Sequence, residues 1–140
     1  MADTITQKFI DLISRDIIGS AIEIHKELGP GLLESAYEKC LKYSLEQKGY
    51  QVKSQVALPI IFKDLVVENA YRLDLLVDDL IIVELKSVEE ITDVHRAQIL
   101  TYLKFTEKPK GILINFKCSN IFYKGQETFV TKEYAKLARE

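Results

Sequence analysis

Several features that mark secreted, zinc-stabilised and membrane-spanning proteins are missing from the sequence. Its 140 residues hold two cysteines, Cys40 and Cys118, which are too few and too far apart for a disulfide framework or a four-ligand zinc site. No apolar run approaches the roughly eighteen residues that span a bilayer. The longest are segments such as Leu80–Val83 and Gly111–Ile114. These absences exclude a disulfide-rich scaffold and a membrane-spanning protein.

An excess of charge of one sign is also missing. Nineteen lysines and arginines stand against twenty-one acids, which gives a formal net charge of -2. This balance argues against binding nucleic acid through bulk positive charge, so any polyanion must meet a local patch. Residues 1–10 lack the basic and then apolar pattern of a signal peptide. We therefore expect a reducing, cytoplasmic location and no membrane partner.

The chain does have enough apolar residues for one sizeable core. Hydrophobic residues make up 47% and charged residues 29% of the sequence, which predicts one domain over residues 1–140. Apolar residues recur every three or four positions over Thr4–Leu28 and again over Leu32–Lys48, which predicts two helices. Gly29-Pro30-Gly31 separates them, because glycine favours a helix end and proline cannot continue the hydrogen-bond ladder.

After Gly49 the period of the apolar residues changes to two. The predicted strands are Tyr50–Leu58, Ile60–Val67, Asn69–Val77 and Leu80–Ser87, as an antiparallel meander. The remaining predicted elements are a helix from Thr92 or Asp93 to about Thr106, strands at Lys110–Phe116 and Asn120–Tyr123, and a helix over Thr131–Glu140. This order predicts an α/β sandwich in which helices flank a mixed sheet.

Charged residues interrupt the most aliphatic part of this meander. Asp74, Glu84 and Lys86 stand in strands that are aliphatic on both sides and should be covered. A buried carboxylate is costly unless it is paired or binds a metal. The three charges therefore indicate either a metal site or a buried ion triad in which Lys86 neutralises an acid.

The turn between the two strands decides where these charges point. A two-residue turn at Asp78-Asp79 would put Asp74 and Glu84 on opposite faces, whereas a three-residue loop or an equivalent bulge puts them opposite each other on one face. We predict the second register, in which Val77 pairs with Ile81. The other face is then wholly apolar and carries Leu73, Leu75, Val77, Ile81, Val83 and Leu85.

The predicted pairing suits a hard divalent cation. Opposed Cβ atoms lie about 5 Å apart, so two carboxylates can converge on one ion. Oxygen ligands favour Mg²⁺ or Mn²⁺ over zinc. Two helices supply further polar residues, each of which also has an ordinary structural explanation. Glu34, in the first turn of the second helix, is favoured by the helix dipole, and Gln98, four residues before Tyr102, fits a core-edge amide.

Taken in order, these residues resemble the PD-(D/E)xK nuclease superfamily. The segment Gly31-Leu32-Leu33-Glu34-Ser35-Ala36-Tyr37 is similar to the signature of the GxxExxY family, a branch of that superfamily. The resemblance covers roughly Ile17–Phe116 and implies a restriction-endonuclease-like α/β core with an extra N-terminal helix. One departure is Leu73, which stands where the superfamily motif has proline; this substitution is frequent in the superfamily.

The resemblance implies a metal-dependent nuclease that hydrolyses phosphodiester bonds with Mg²⁺ or Mn²⁺, with DNA as the expected substrate and RNA as the alternative. Asp74, Glu84 and the carbonyl of Leu85 would bind the metal, and Glu34 would reach it directly or through water. Lys86 would orient or deprotonate the attacking water and steady the developing charge. One metal or two, and endonuclease or exonuclease action, stay open.

The resemblance also implies roles for three residues around this centre. Gln98 and Tyr102 would support the site and contact the substrate backbone, and Tyr37 would steady Glu34. An alternative from a different class is a non-catalytic module that retains the nuclease fold and binds nucleic acid or protein, which the acidic balance of the chain favours. A homodimer is a further expectation, because it would give a small domain a larger surface for a polyanion.

Overall fold

The structure, a computed structural model, describes residues 4–140. Its elements are α1 (Gln7–Leu28), α2 (Glu34–Gln47), β1 (Val52–Phe62), β2 (Leu65–Val77), β3 (Ile81–Lys86), α3 (Asp93–Thr106), β4 (Lys110–Asn115), α4 (Ile121–Lys124), β5 (Gln126–Val130) and α5 (Lys132–Ala135). The strands form one sheet in the order β1-β2-β3-β4-β5. β3 and β4 run parallel and the other neighbours antiparallel, which confirms an α/β fold with a mixed sheet flanked by helices.

The two N-terminal helices form where the apolar spacing predicts them. The hydroxyl of Thr6 accepts a hydrogen bond from the backbone N–H of Phe9 and so caps α1, and Gly29 ends it with a φ of 76°. α2 begins at Glu34, two residues later than predicted. The inward stripe of α1 consists of Ile10, Ile13, Ile17, Ala21 and Ile24, all buried.

The prediction of four strands between residues 50 and 87 is wrong, because three strands cover this range, and β1 and β2 are longer than predicted. β1 continues through Pro59 and β2 continues through Asn69, with a turn at Lys63-Asp64 between them. β1 lies at the edge of the sheet, where a residue without an N–H is tolerated. The strand pairing shifts register between Leu58 and Ile60, on either side of the proline.

The C-terminal third contains a second correction. Residues 120–123, predicted as a strand, form the start of α4, because the side chain of Asn120 accepts a hydrogen bond from the N–H of Tyr123 and begins a helix there. The strand follows as β5 at Gln126–Val130. The last predicted helix shortens to Lys132–Ala135. Thr92 is the N-cap of α3, as the sequence allowed.

Two apolar cores lie on opposite faces of the sheet. One packs α1 and α2 against the sheet and contains Tyr37, which stacks on Phe116 with ring centroids 4.1 Å apart. The other lies under α3, where Ile99, Tyr102 and Leu103 cover the sheet. Within residues 4–140, no helix has the length and apolar character needed to cross a membrane.

The predicted register of the central hairpin is confirmed. Val77 pairs with Ile81, and the N–H of Leu80 donates to the carbonyl of Val77 at 3.0 Å. Asp78 and Asp79 both have left-handed φ angles, of 50° and 58°. Leu80 is left outside the strand pairing, so the turn has the extra residue that the prediction required.

One part of the predicted apolar face is wrong. Leu73 packs with Leu76 and Ile82 in the core under α3, and not with Leu75 in the core under α1 and α2. Residues 73 and 76 would point to opposite faces of a regular strand. The alternation is therefore interrupted between them, where the neighbouring strand carries Gln55 with a left-handed φ of 52°.

Candidate active site

Asp74 and Glu84 lie against each other where the β2–β3 pairing ends. The last paired residues are Leu75 and Val83, and beyond them the side chains replace the backbone as hydrogen-bond acceptors. Oε1 of Glu84 accepts from the N–H of Asp74 at 3.2 Å, and Oδ2 of Asp74 accepts from the N–H of Leu85 at 2.9 Å. Each carboxylate therefore holds the opposite strand, and the structure brings together the two acids that the hairpin register paired.

The environment of Glu84 disfavours its charge. Its side chain is buried, with 3% of its surface exposed, and this burial is the main reason that its pKa rises to about 9. The negative charge of Asp74 raises the pKa of Glu84 further, while the N–H of Asp74 and the charge of Lys86 lower it by less. At neutral pH and without a metal, Glu84 is therefore protonated.

Lys86 points to α3 rather than to the acids. Its Nζ donates to Oε1 of Gln98 at 3.1 Å, and Nε2 of Gln98 donates to the hydroxyl of Tyr102 at 2.7 Å. The ring of Tyr102 stacks on Tyr71 of β2, with centroids 4.8 Å apart. Within residues 4–140, Lys86 forms no salt bridge with Asp74 or Glu84, so the buried ion triad is not formed.

Glu34 lies beside the end of β3 that carries Lys86. It is the first residue of α2, and its Oε1 accepts from the N–H of Ser87 at 3.2 Å. The hydroxyl of Ser87 in turn donates to the carbonyl of Leu32 at 3.3 Å. Glu34 is exposed and borders a surface cavity of about 360 Å³. It is therefore tied to the residue after Lys86, without a hydrogen bond to Asp74 or Glu84.

Tyr37 supports this arrangement from inside the core. Its side chain is wholly buried, so it can act on the site only from within the core. Its hydroxyl donates to the carbonyl of Gly29 and accepts from the N–H of Leu32 at 3.0 Å. Tyr37 therefore fixes the loop that precedes Glu34, and its effect on the site is indirect.

Two further residues, which the sequence did not predict, lie beside these acids. Glu38 lies one helical turn after Glu34 and accepts a hydrogen bond from Nε2 of Gln55, which also lies 3.4 Å from Oδ1 of Asp74. Burial is the main reason that the pKa of Glu38 is raised, the hydrogen bond from Gln55 lowers it, and the charge of Asp74 raises it. The four-residue spacing from Glu34 was the available signal for Glu38. Gln55 offered none.

The donor set fits a hard divalent cation. The carboxylates of Asp74 and Glu84 lie close together, and burial and repulsion disfavour the charged form of Glu84. A bound cation would favour that charged form instead. Across residues 4–140, no three histidine, cysteine, aspartate or glutamate side chains converge as a metal-ligand group. Asp74 and Glu84 would therefore need backbone or water oxygens to complete the coordination of an ion.

Cavity size does not mark this site. A larger cavity, of about 610 Å³, lies between α1 and α2 and is bordered by Glu23, Glu27, Lys39 and Tyr43. None of the clustered acids, nor Lys86, borders it. The polar cluster at the end of β3 is therefore the candidate site because of its acids and Lys86, and not because of the size of a cavity.

Comparison with known proteins found a protein family that the chain matches. A sequence model described as the PD-(D/E)XK nuclease superfamily matches residues 11–127, which is most of the chain. The comparison with curated proteins gave no match. The comparison with solved structures likewise gave none.

Proposed function

The chain belongs to the PD-(D/E)XK nuclease superfamily, and from this premise we propose that it is a Mg²⁺- or Mn²⁺-dependent nuclease that hydrolyses phosphodiester bonds of DNA. The observation that carries the proposal is the contact between Asp74 and Glu84, with Lys86 two residues farther along β3. Membership of the GxxExxY branch, which rests on the segment around Glu34, is part of the proposal.

The proposed roles follow from the atoms that are available. Asp74, Glu84 and the carbonyl of Leu85 would hold the ion, which when bound supplies water of lowered pKa and screens the phosphate. Lys86 has three N–H donors. One of them is directed to Gln98, which leaves two for the attacking water or the scissile phosphate.

Glu34 and the polar residues of α3 would act around this centre. Glu34, fixed by the N–H of Ser87, would reach the ion through water. Gln98 holds both Lys86 and Tyr102, so it would set the direction of the ammonium group while the buried Tyr102 supports Gln98 through its hydroxyl. Homodimerisation is a further proposal that accompanies this one.

A cleavage assay with the full chain tests the proposal. Single-stranded, duplex, flapped and branched DNA would be incubated with Mg²⁺ or Mn²⁺, and with EDTA as the metal-free control. We expect cutting that EDTA abolishes and that Asp74→Ala, Glu84→Ala and Lys86→Ala each reduce by on the order of 100-fold or more. The proposal fails if every substrate stays uncut and no divalent-ion binding is lost in Asp74→Ala or Glu84→Ala.

One observation favours a second candidate, a non-catalytic module that retains the nuclease fold. No third acid or histidine converges with Asp74 and Glu84 among the residues that the structure describes. Such a module would bind nucleic acid or protein without cutting. Lys86→Ala separates the two candidates, because it should leave the biological activity of a binding module intact and abolish that of a nuclease.

A further inference from the structure

A groove of about 330 Å³ separates the last turns of α1 from α4. We call it the α4 groove; His25 and Lys26 form one wall, and residues 119–123 form the other. Nε2 of His25 lies 2.9 Å from the carbonyl oxygen of Cys118, which joins the two walls. The side chain of Asn120 caps α4 through the N–H of Tyr123 at 2.9 Å. The groove is therefore a built feature of the fold.

Two aromatic rings are exposed beside the α4 groove. Tyr123 has 80% of its surface exposed, the largest fraction among the large hydrophobic residues within 4–140, and Phe122 has 56% exposed. Their ring centroids lie 4.9 Å apart with the rings nearly perpendicular. Exposed aromatic faces are stacking platforms for unpaired bases, whatever the base sequence.

The charge of the α4 groove suits a polyanion. Within residues 4–140, Lys26 and His25 line it and no acid does, although the whole chain has a net charge of -2. Lys124 follows at the end of α4. The cavity between α1 and α2 differs, because Glu23 and Glu27 face Lys39 and Lys48 there. Both cavities have aromatic residues beside them. The cavity between α1 and α2 has acidic and basic side chains, whereas the ionisable side chains of the α4 groove, apart from its tyrosine, are basic.

The α4 groove follows in the chain from β4, the strand that pairs with β3. Lys86 is paired with Asn115 of the parallel strand β4, and three residues later the chain reaches Cys118, the residue before the groove wall. Neighbouring strands are about 4.8 Å apart and each residue spans at most about 3.5 Å, so the backbones of Lys86 and Cys118 are within about 15 Å. Because Lys86 points to α3 and the groove borders α1 on the other face of the sheet, a strand of nucleotides would have to pass around the end of the sheet to reach both.

We propose that the α4 groove binds a single-stranded segment of nucleic acid, with Tyr123 and Phe122 stacking on bases and Lys26 contacting phosphate. The proposal rests on the proposed nuclease function for its substrate class. The binding step itself needs neither metal nor cleavage. Single-stranded DNA and RNA share the recognised chemistry, and parallel titrations with oligo(dT) and oligo(rU) distinguish them.

Fluorescence anisotropy with a labelled twelve-nucleotide oligo(dT), in EDTA and at low salt, measures this binding with the full chain. We expect Tyr123→Ala to weaken binding by about 5-fold to 100-fold, the range measured for loss of one base stack. Tyr123→Phe keeps the aromatic face and should retain the affinity. Lys26→Ala should make the slope of the logarithm of the association constant against log salt less negative by about 0.7, because one phosphate contact is lost.

Tyr43→Ala is the matched control, because Tyr43 is also an exposed tyrosine, at 66%, but borders the cavity that contains Glu23 and Glu27. We expect it to bind oligo(dT) like the wild type. Equal affinities of the Tyr43 and Tyr123 alanine variants would overturn the proposal. So would a wild-type chain that does not bind oligo(dT) at all, in which case the exposed rings indicate a protein contact.

The same titration separates this proposal from the proposed nuclease function. Asp74→Ala should retain oligo(dT) binding, since it leaves the α4 groove unchanged. A chain that binds through Tyr123 but cuts no substrate contradicts only the nuclease function. A chain that cuts DNA and binds it equally well with Tyr123→Ala contradicts only the α4 groove.

Discussion

Glu84 makes the free energy of unfolding of the metal-free chain depend on pH. Its pKa in the folded chain is about 9, against an ordinary value of 4.5, so between these values the folded chain holds a proton that the unfolded chain has lost. The contribution of Glu84 to stability is therefore greatest below pH 4.5 and is lost as pH rises toward 9. The Glu84→Gln variant has no carboxyl proton to lose. At pH 8 its free energy of unfolding should therefore exceed that of the wild type by at least about 1 kcal/mol.

Urea unfolding in EDTA at pH 5, 6, 7 and 8 measures this difference. Glu34→Gln is the matched control, because Glu34 is exposed and the substitution should leave the pH dependence of the wild type in place. Parallel stability curves for the wild type and Glu84→Gln over this range would contradict the prediction.

Gln98 should affect turnover without affecting stability. It is exposed, yet it holds the ammonium of Lys86 and the hydroxyl of Tyr102. In the proposed nuclease, Gln98→Ala should lower kcat about 10-fold or more with little change in KM, because Lys86 loses its fixed direction. Thr101→Ala, another exposed change on α3, is the control and should keep full activity. Equal kcat values for the two variants would rule out a positioning role for Gln98.

The residues of the site differ in how far sequence could predict their positions. The contact of Asp74 with Glu84 could be predicted because one local feature, the extra residue in the turn before Ile81, sets the register of the two strands. The approach of Gln55 to Asp74 depends instead on the pairing of the edge strand β1 with β2, which joins residues distant in sequence. It also depends on the left-handed backbone of Gln55, which glutamine rarely adopts. No periodicity reports such a contact.

Among the elements, the loop between α1 and α2 is fixed mainly by one side chain. The hydroxyl of the buried Tyr37 bonds the carbonyl of Gly29 and the N–H of Leu32. Tyr37→Phe keeps the stacking on Phe116 but leaves both backbone groups without this partner, which should lower the free energy of unfolding by about 1 to 3 kcal/mol. Urea unfolding measures the loss.

Tyr43→Phe supplies the control for this loss, because its ring is exposed and we expect a change within about 0.5 kcal/mol. Tyr37→Phe should also expose the N–H of Leu32 to faster hydrogen exchange, which a general loss of core packing would not confine to this loop. A Tyr37→Phe variant as stable as the Tyr43→Phe variant would contradict the assignment.

Sequence predicted the long helices well, but it missed the short helix α4 and divided the long strands β1 and β2 wrongly. α1 has six turns of apolar periodicity, and that repetition identifies it. α4 has four residues, too few for a period, and its apolar start at Ile121-Phe122 suits a strand equally. The cap at Asn120 decided it. In β1, Pro59 was read as a strand end because the sequence does not show which strand lies at the edge of the sheet.

For the whole molecule, metal binding and folding should be coupled. An ion bound only by the folded chain raises the free energy of unfolding, by about 2.7 kcal/mol at a concentration 100 times its Kd. We expect Mn²⁺ to raise the Tm of the wild type and to have no such effect on Asp74→Asn or Glu84→Gln. Glu68→Gln, which removes an exposed acid on the β1–β2 hairpin, is the control and should respond like the wild type.

The same coupling gives the Mn²⁺ effect a pH dependence of known sign. The ion needs Glu84 ionised, and a pKa of about 9 means that binding must release a proton at neutral pH. Affinity should therefore rise up to about tenfold per pH unit below 9, so that the Mn²⁺-induced increase in Tm is larger at pH 8 than at pH 6. Melting curves with and without Mn²⁺ at both pH values measure this. An increase that is independent of pH, or that persists in Glu84→Gln, would place the ion elsewhere on the molecule.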